Sequence, residues 1–108
     1  MPAMSTLRMT TPRLLALRTL LEDPERERYG LELATQAGLE PATVYPILVA
    51  FETAGWVCSR AEDIDAHEAG RPRRRYYRLT AAGVTAARDA IAAREQRSAR
   101  GVSRRLAW

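Results

Sequence analysis

An arginine cluster between residues 68 and 77 carries the clearest chemistry in this sequence. The stretch EAGRPRRRYY places four arginines around a proline and ends in two tyrosines. These side chains repel one another in water, whereas a planar guanidinium can hold two oxygens of a phosphate or carboxylate at once. The cluster therefore predicts contact with a polyanion, and we assign the phosphate contacts to Arg71, Arg73 and Arg74. For an isolated cluster, a solvated run of charge would be the alternative.

Residues suited to catalysis are sparse. The chain has one cysteine, Cys58, and one histidine, His67, which lies among carboxylates. Nucleophilic catalysis needs a nucleophile beside a base, and a zinc site needs several nitrogen or sulfur ligands. We therefore expect no enzyme activity, no metal site and no cofactor. His67 is predicted on an exposed loop, and Cys58 is predicted to be a small buried residue.

The composition is that of a soluble globular protein. The chain has 108 residues, a hydrophobic fraction of 46%, a formal net charge of +4 and a pI of about 10.0, and all 17 basic residues are arginine. This length fits one domain. The sequence lacks an apolar run that could act as a signal peptide or cross a bilayer. We expect a cytoplasmic protein that does not enter a membrane.

Two predicted helices joined by a tight turn precede the arginine cluster. Gly30 starts a short helix, LELATQA, and Gly38 ends it in the left-handed conformation that glycine tolerates. A second helix starts at Pro41 and ends at Gly55, so that the pair forms a helix-turn-helix motif. Apolar periodicity turns one face of this second helix towards the core. The opposite face, called the recognition face below, comprises Ala42, Thr43, Tyr45, Pro46 and Val49.

The remaining segments complete a winged helix. A leucine-rich helix capped by Thr11 comes first, and the strands WVCSR and RRYYRL form a hairpin, the wing, around a polar loop. A last helix starts after Thr80. The fold class is mainly α with a small β-hairpin, a winged helix-turn-helix followed by a C-terminal dimerisation helix. We expect a disordered N-terminus (1–10), the winged helix (11–80), the dimerisation helix (81–97) and a flexible basic tail (98–108).

This arrangement predicts binding to double-stranded DNA. A wing lies beside the DNA backbone when the recognition helix enters the major groove. The hydroxyls of Thr43 and Tyr45 suit phosphates or base edges, and the apolar residues of the recognition face suit thymine methyl groups. Since that face has no arginine to pair with guanine, we expect a site read partly through DNA shape. Packing of Tyr45 over the wing is the alternative to groove contact.

Sequence-specific binding by one small domain usually requires two copies on symmetric half-sites. The first helix has more leucine than one face needs, and the last helix has a narrow apolar stripe. We therefore predict a homodimer that joins the last helix of each copy to its counterpart and to the partner's first helix. The predicted dimer contacts are Leu14, Leu17, Leu21, Val84, Ala87 and Ile91.

Several strings resemble the PadR (phenolic-acid-decarboxylase repressor) family of bacterial transcription factors. They are YGLEL from Tyr29, TVYPIL from Thr43, AGW from Ala54 and EAGRPRRRYYRLT from Glu68. The resemblance covers residues 12–91, and the single C-terminal helix is similar to the shorter branch of the family. It implies a winged-helix repressor that acts as a homodimer on a palindromic operator. Because some members bind phenolic or drug-like compounds, it also implies a small aromatic effector that releases the DNA.

The sequence departs from this family at two places on the recognition helix. Glu40 occupies the N-cap position where the family usually has serine, and Val49 and Ala50 occupy the middle of the helix where an arginine is common. A winged helix used only for contact with another protein, without DNA, is the alternative function. A neutral apolar surface on the recognition side would favour that alternative.

Overall fold

A computed structural model describes the backbone of residues 7–106 and the side chains of residues 7–101. Residues 1–6 of the predicted disordered segment and residues 107–108 of the predicted tail lie outside the described residues. The elements are α1 (Thr11–Leu21), β1 (Arg28–Tyr29), α2 (Gly30–Ala37), α3 (Pro41–Thr53), β2 (Val57–Ala61), α4 (Ala66–Ala69), β3 (Arg75–Leu79) and α5 (Ala81–Leu106). The architecture is the predicted winged helix, mainly α with a small antiparallel sheet.

The start of α1 differs from the prediction by one residue. Thr10, not Thr11, is the N-cap, and its side-chain oxygen accepts a hydrogen bond from the backbone N–H of Arg13 at 3.4 Å. Leu7 and Met9 pack against the hydrophobic core, although the sequence analysis placed them in the disordered N-terminus. The described chain is therefore anchored before α1 begins.

The sheet has three strands where the sequence predicted a two-stranded hairpin. Its order is β1-β3-β2, and Arg28 and Tyr29 of β1 pair with Tyr77 and Tyr76 of β3. Strand β1 has only two residues, which is too short for the alternation that predicts a strand from sequence. Arg28 is only 2% exposed, and its Nε donates to Gln36 Oε1 at 2.7 Å. Burial lowers the pKa of this guanidinium.

The loop of the wing contains a short helix that the sequence analysis missed. The carboxylate of Asp65 accepts hydrogen bonds from the backbone N–H groups of His67 and Glu68 at the start of α4. Gly70 ends α4 in the left-handed conformation, with φ of 70°. This turn reverses the chain directly before the arginine cluster.

The last helix is longer than predicted, since α5 extends to Leu106 and includes most of the segment predicted to be a flexible tail. It begins after Thr80, whose hydroxyl donates to Gly55 O at 2.7 Å and accepts from Gly83 N at 3.0 Å. Gly83 permits close packing, because a Cβ atom there would stand 1.9 Å from the carbonyl oxygen of Trp56. No helix in the described range is long and apolar enough to cross a membrane.

A single hydrophobic core holds α3 and the wing in a fixed relation. One side of α3 is buried against α1, α2 and the sheet, and the Phe51 ring lies 5.5 Å from that of Trp56. β2 and β3 pair from Val57↔Leu79 to Ala61↔Arg75, so that the wing continues directly from the core. The largest fully buried side chains are Leu17, Leu20, Leu33, Val44, Leu48 and Phe51.

Candidate nucleic-acid interface

The recognition face of α3 lies on the surface as predicted from its periodicity. Ala42, Tyr45, Pro46 and Val49 are exposed, and Thr43 is half-buried. Val49 is 63% exposed, and it adds an apolar side chain to the surface of this helix. Pro46 cannot donate a backbone hydrogen bond, so the helix loses one intrahelical bond within this face. The face is therefore largely apolar, with the hydroxyls of Thr43 and Tyr45 as its polar groups.

Tyr45 connects this face to the start of α2. Its ring lies over Gly30, where a Cβ atom would stand 2.5 Å from Tyr45 Cε1 and 2.9 Å from the hydroxyl oxygen. The side chain is nevertheless 46% exposed. The ring therefore packs against its own chain while part of the side chain remains open to the outside.

The recognition face and the wing meet at one cleft, called the Tyr45 cleft below. Its volume is about 520 Å³. Tyr45 and the arginine cluster both line this cleft. The recognition helix and the wing therefore border a common surface, as the sequence predicted. The lining residues are Tyr29, Gly30, Leu31, Tyr45, Tyr77 and residues 71–75.

The arginines of the cluster do not present equal charge to the outside. Arg71 makes a two-pronged ion pair with Glu62, with distances of 2.7 Å from Nη1 to Oε1 and 2.9 Å from Nη2 to Oε2. The Arg74 guanidinium lies 4.2 Å from the centre of the Tyr29 ring, in cation–π geometry. Arg71 is therefore bound within the chain, and Arg74 is partly occupied.

Arg73 and Arg75 are the exposed members of the cluster. Arg73 Nε donates to the carbonyl oxygen of Ile64 at 2.8 Å, and this hydrogen bond fixes the side chain across the wing loop. Arg75 Nη1 donates to Ser59 Oγ at 3.0 Å. Each contact uses one nitrogen of the guanidinium and leaves further N–H donors for a phosphate.

Glu62 organises the loop of the wing by accepting hydrogen bonds from several of its residues. Besides Arg71, its carboxylate accepts from the backbone N–H of Arg74 at 3.1 Å and from the Tyr76 hydroxyl at 3.4 Å. The hydrogen bonds from Arg71 are the main cause that lowers the Glu62 pKa to about 2. The group is thus a carboxylate throughout the neutral range.

Arginines and tyrosines alternate on the outer face of the sheet. The Tyr29 and Tyr76 rings meet edge to face at 5.9 Å, and the Arg60 guanidinium lies 5.2 Å from the centre of the Tyr76 ring. Arg60 also holds both carboxylate oxygens of Glu27 at 2.7 Å. Hydroxyl, ring and charge contacts of this kind stiffen the hairpin that carries the cluster. Sequence reasoning missed the network, because β1 was not recognised.

A model of the PadR-like family of transcriptional regulators matches residues 19–89. The chain belongs to this family. The family is one of transcriptional regulators, and the resemblance found in the sequence is confirmed. A comparison with curated proteins found none that matches the chain.

Solved structures with the same fold include other regulators. A PadR family transcriptional regulator from Eggerthella lenta is 24% identical, with 88% of this chain and 84% of that chain covered and a TM-score of 0.65. MepR, a transcription regulator of the Staphylococcus aureus multidrug efflux pump MepA, is 18% identical, with 89% of this chain covered and a TM-score of 0.65. This chain covers 65% of MepR, slightly less than two thirds of its length. At these identities the likeness shows the fold alone.

The dimer contacts predicted for this PadR-like chain divide into two groups. Leu14, Leu17 and Ala87 are 4%, 0% and 0% exposed within one chain, so their side chains are already covered and the prediction is wrong for these three. Helical periodicity predicts that these three residues lie on an apolar face. It does not distinguish burial by their own domain from burial by a second copy. The other three, Leu21, Val84 and Ile91, are partly exposed. Leu21 and Ile91 line a shallow depression of about 360 Å³ between α1 and α5.

Two further residues were assigned from sequence. His67 is exposed on the short helix α4 of the wing, not on an irregular loop. Cys58 was predicted to be buried, but it is half-buried and pairs with Arg78 in the sheet. β2 begins at Val57, one residue later than the predicted strand WVCSR, and Trp56 lies in the core.

The net positive charge of this PadR-like chain lies at residues 94–108 of the sequence and not in the wing. Residues 1–93 contain equal numbers of arginines and acidic residues, 12 of each. Residues 94–108 contain five arginines and one glutamate, which accounts for the whole net charge of +4. Residues 1–93, which include the winged helix, are therefore neutral overall, and any attraction to a polyanion there depends on the local placement of the arginines.

Proposed function

We propose that this PadR-like regulator binds double-stranded DNA through the recognition face of α3 and the wing. In this proposal it acts in the cytoplasm as a homodimeric repressor on a palindromic operator. The observation that carries the proposal is the Tyr45 cleft, which Tyr45 of the recognition face lines together with the arginine cluster. A duplex with α3 in its major groove would bring a phosphate strand past Arg73 and Arg75.

The apolar recognition face suits reading through thymine methyl groups and DNA shape. Ala42, Pro46 and Val49 offer no hydrogen-bond donor to a base edge, so discrimination falls to methyl contacts and to the hydroxyls of Thr43 and Tyr45. The wing arginines would add affinity that does not depend on sequence. The arginines of the wing would thus attract DNA locally, although the net charge of the domain does not.

Selection of bound sequences from a pool of random duplexes tests the proposal. We expect enrichment of a site with two symmetric half-sites, centred about one helical turn of 10–10.5 base pairs apart or a multiple of it. Arg88→Ala is the matched control, because it removes an exposed arginine from α5 and leaves the wing intact. A pool without enrichment after repeated rounds would rule out sequence-specific DNA binding.

Contact with another protein is the second candidate function. It is favoured by the 63% exposure of Val49, next to exposed Pro46, on a domain without net charge. Val49→Glu separates the two functions when binding to selected duplexes is measured beside binding to candidate protein partners. Loss of protein contact with unchanged DNA affinity would favour this second function.

A small aromatic effector that releases the DNA is a further part of the proposal. The Tyr45 cleft has a volume within the range of small-ligand sites, and its tyrosines and arginines suit a planar anion. A compound in the cleft would compete with DNA for Tyr45, Arg73 and Arg75. Titration of the protein–DNA complex with aromatic carboxylic acids, followed by fluorescence anisotropy, should release the duplex. An unchanged complex with every acid would remove the effector from the proposal.

A further inference from the structure

Glu62 already fills the position that a phosphate would take on Arg71. Two carboxylate oxygens face two guanidinium nitrogens at 2.7 and 2.9 Å, which is the fork geometry that arginine also offers to a phosphate. The Glu62 side chain is only 14% exposed, whereas the Arg71 side chain is 35% exposed. An incoming DNA strand would have to displace a well-shielded carboxylate before it could bind this arginine.

The same carboxylate fixes the backbone of the cluster. Glu62 Oε1 accepts from the backbone N–H of Arg74 at 3.1 Å, and the Glu62 backbone N–H donates to the Arg74 carbonyl at 2.8 Å. These bonds close the wing loop at its base, directly before the exposed Arg75. One residue therefore occupies the guanidinium of Arg71 and sets the position of its neighbours.

We propose that Glu62 is a positioning residue that determines how many wing arginines contact DNA, by holding Arg71 as a phosphate would. The inference rests on the proposed DNA binding and deepens it. With Arg71 occupied, the wing makes fewer phosphate contacts, and these contacts are the source of affinity for any sequence. Glu62 thus lowers the affinity of the wing for any duplex, and the choice of site falls to the recognition face.

A purely structural role for Glu62 leads to the opposite result in one measurement. If the carboxylate only kept the wing folded, its loss would disorder Arg73 and Arg75, and fewer phosphates would be contacted. If the carboxylate instead keeps Arg71 from the DNA, its loss frees Arg71 and adds one phosphate contact. The slope of log affinity against log salt concentration counts such contacts at about 0.9 for each phosphate.

The test uses the full chain and a duplex of random sequence titrated at several salt concentrations. Glu62→Gln keeps the shape of the side chain and an oxygen for the Arg74 N–H but loses the charge. We expect the salt slope to steepen by about 0.9 and the non-specific affinity at 0.15 M salt to rise roughly five-fold. The affinity for the selected duplex should rise by a similar factor, because a phosphate contact carries no sequence information.

Two variants make this result decisive. The double variant Glu62→Gln/Arg71→Gln should return to the wild-type slope, because the freed arginine is gone. Glu68→Gln makes the same change of charge at an exposed wing carboxylate and should leave the slope unchanged. A Glu62→Gln slope equal to or shallower than that of wild type would overturn this inference alone. A wild-type chain that binds no duplex would overturn the proposed function as well.

Discussion

The ring of Tyr45 covers Gly30 so closely that a Cβ atom at this glycine would stand 2.5 Å from Tyr45 Cε1. The recognition helix and the start of α2 are thereby coupled through one aromatic side chain. Because Tyr45 is also 46% exposed at the cleft shared with the wing, its position bears on both proposed modes of DNA contact.

Gly30→Ala should displace the Tyr45 ring without unfolding the domain, since the ring can rotate outward from its edge of the cleft. We expect affinity for the selected duplex to fall by about 1–3 kcal/mol, the usual value of one base contact. Tyr45→Ala should cause a loss of similar size, and affinity for random duplexes should change less in both variants. Anisotropy titrations measure all four values. Equal losses on the two kinds of duplex would assign Tyr45 to the phosphate backbone instead.

Arg73→Ala should weaken binding to selected and random duplexes by similar factors, because a phosphate contact carries no sequence information. The salt slope should become shallower by about 0.9. Arg88→Ala on α5 serves as the control. An unchanged slope for Arg73→Ala would mean that this arginine faces solvent in the complex.

Gly83→Ala should destabilise the fold, because the added methyl group would stand 1.9 Å from the Trp56 carbonyl oxygen. We expect a loss of about 1–3 kcal/mol or more in the free energy of unfolding, as for other overpacked sites. Gly101→Ala is the matched control, since a Cβ atom there meets nothing within 4 Å. Urea unfolding followed by circular dichroism measures both, and a Gly83→Ala variant as stable as wild type would contradict this packing of α5.

Ile91→Arg should convert the proposed dimer into a monomer with its helices intact. Ile91 is partly exposed beside Leu21 in one chain, so an arginine there can reach water in the monomer. In the proposed dimer a second copy covers this position, and the charge would be buried without a partner. Ala92→Arg changes the adjacent, exposed position and should leave the dimer unaffected. Sedimentation equilibrium distinguishes the states. A dimeric Ile91→Arg variant would place the interface elsewhere.

Glu62 should titrate far below the ordinary range of a glutamate. Hydrogen bonds from Arg71 lower its pKa from 4.5 to about 2. A carboxyl group whose pKa is lower in the folded state contributes stability that is fully present above its unfolded value and is lost as the pH falls through its folded value. The Glu62–Arg71 ion pair should therefore stabilise the wing at neutral pH. This contribution should be lost as the pH falls from about 4.5 to about 2. Carbon NMR of the carboxyl group checks this, and a midpoint near 4.5 would contradict a persistent ion pair.

The sequence was informative where a pattern extends over several turns. The recognition face follows from apolar periodicity across the 13 residues of α3. Strand β1 has two residues, which is too short for any alternation to appear, and so the third strand was missed. The residues 98–106 of α5 lack apolar periodicity, although alanine and arginine favour a helix. The Glu62–Arg71 pair joins positions nine apart across a loop, and only the fold brings them together.

Mapping the DNA contacts on the full chain tests the central claim most directly. Backbone amide NMR spectra, recorded with and without the selected duplex, report which residues change environment. The largest changes are expected at residues 42–49 of α3 and residues 71–75 of the wing, with little change at exposed Arg97 and Arg100 of α5. Changes concentrated at α5, which holds the net positive charge, with α3 and the wing unaffected, would contradict the account.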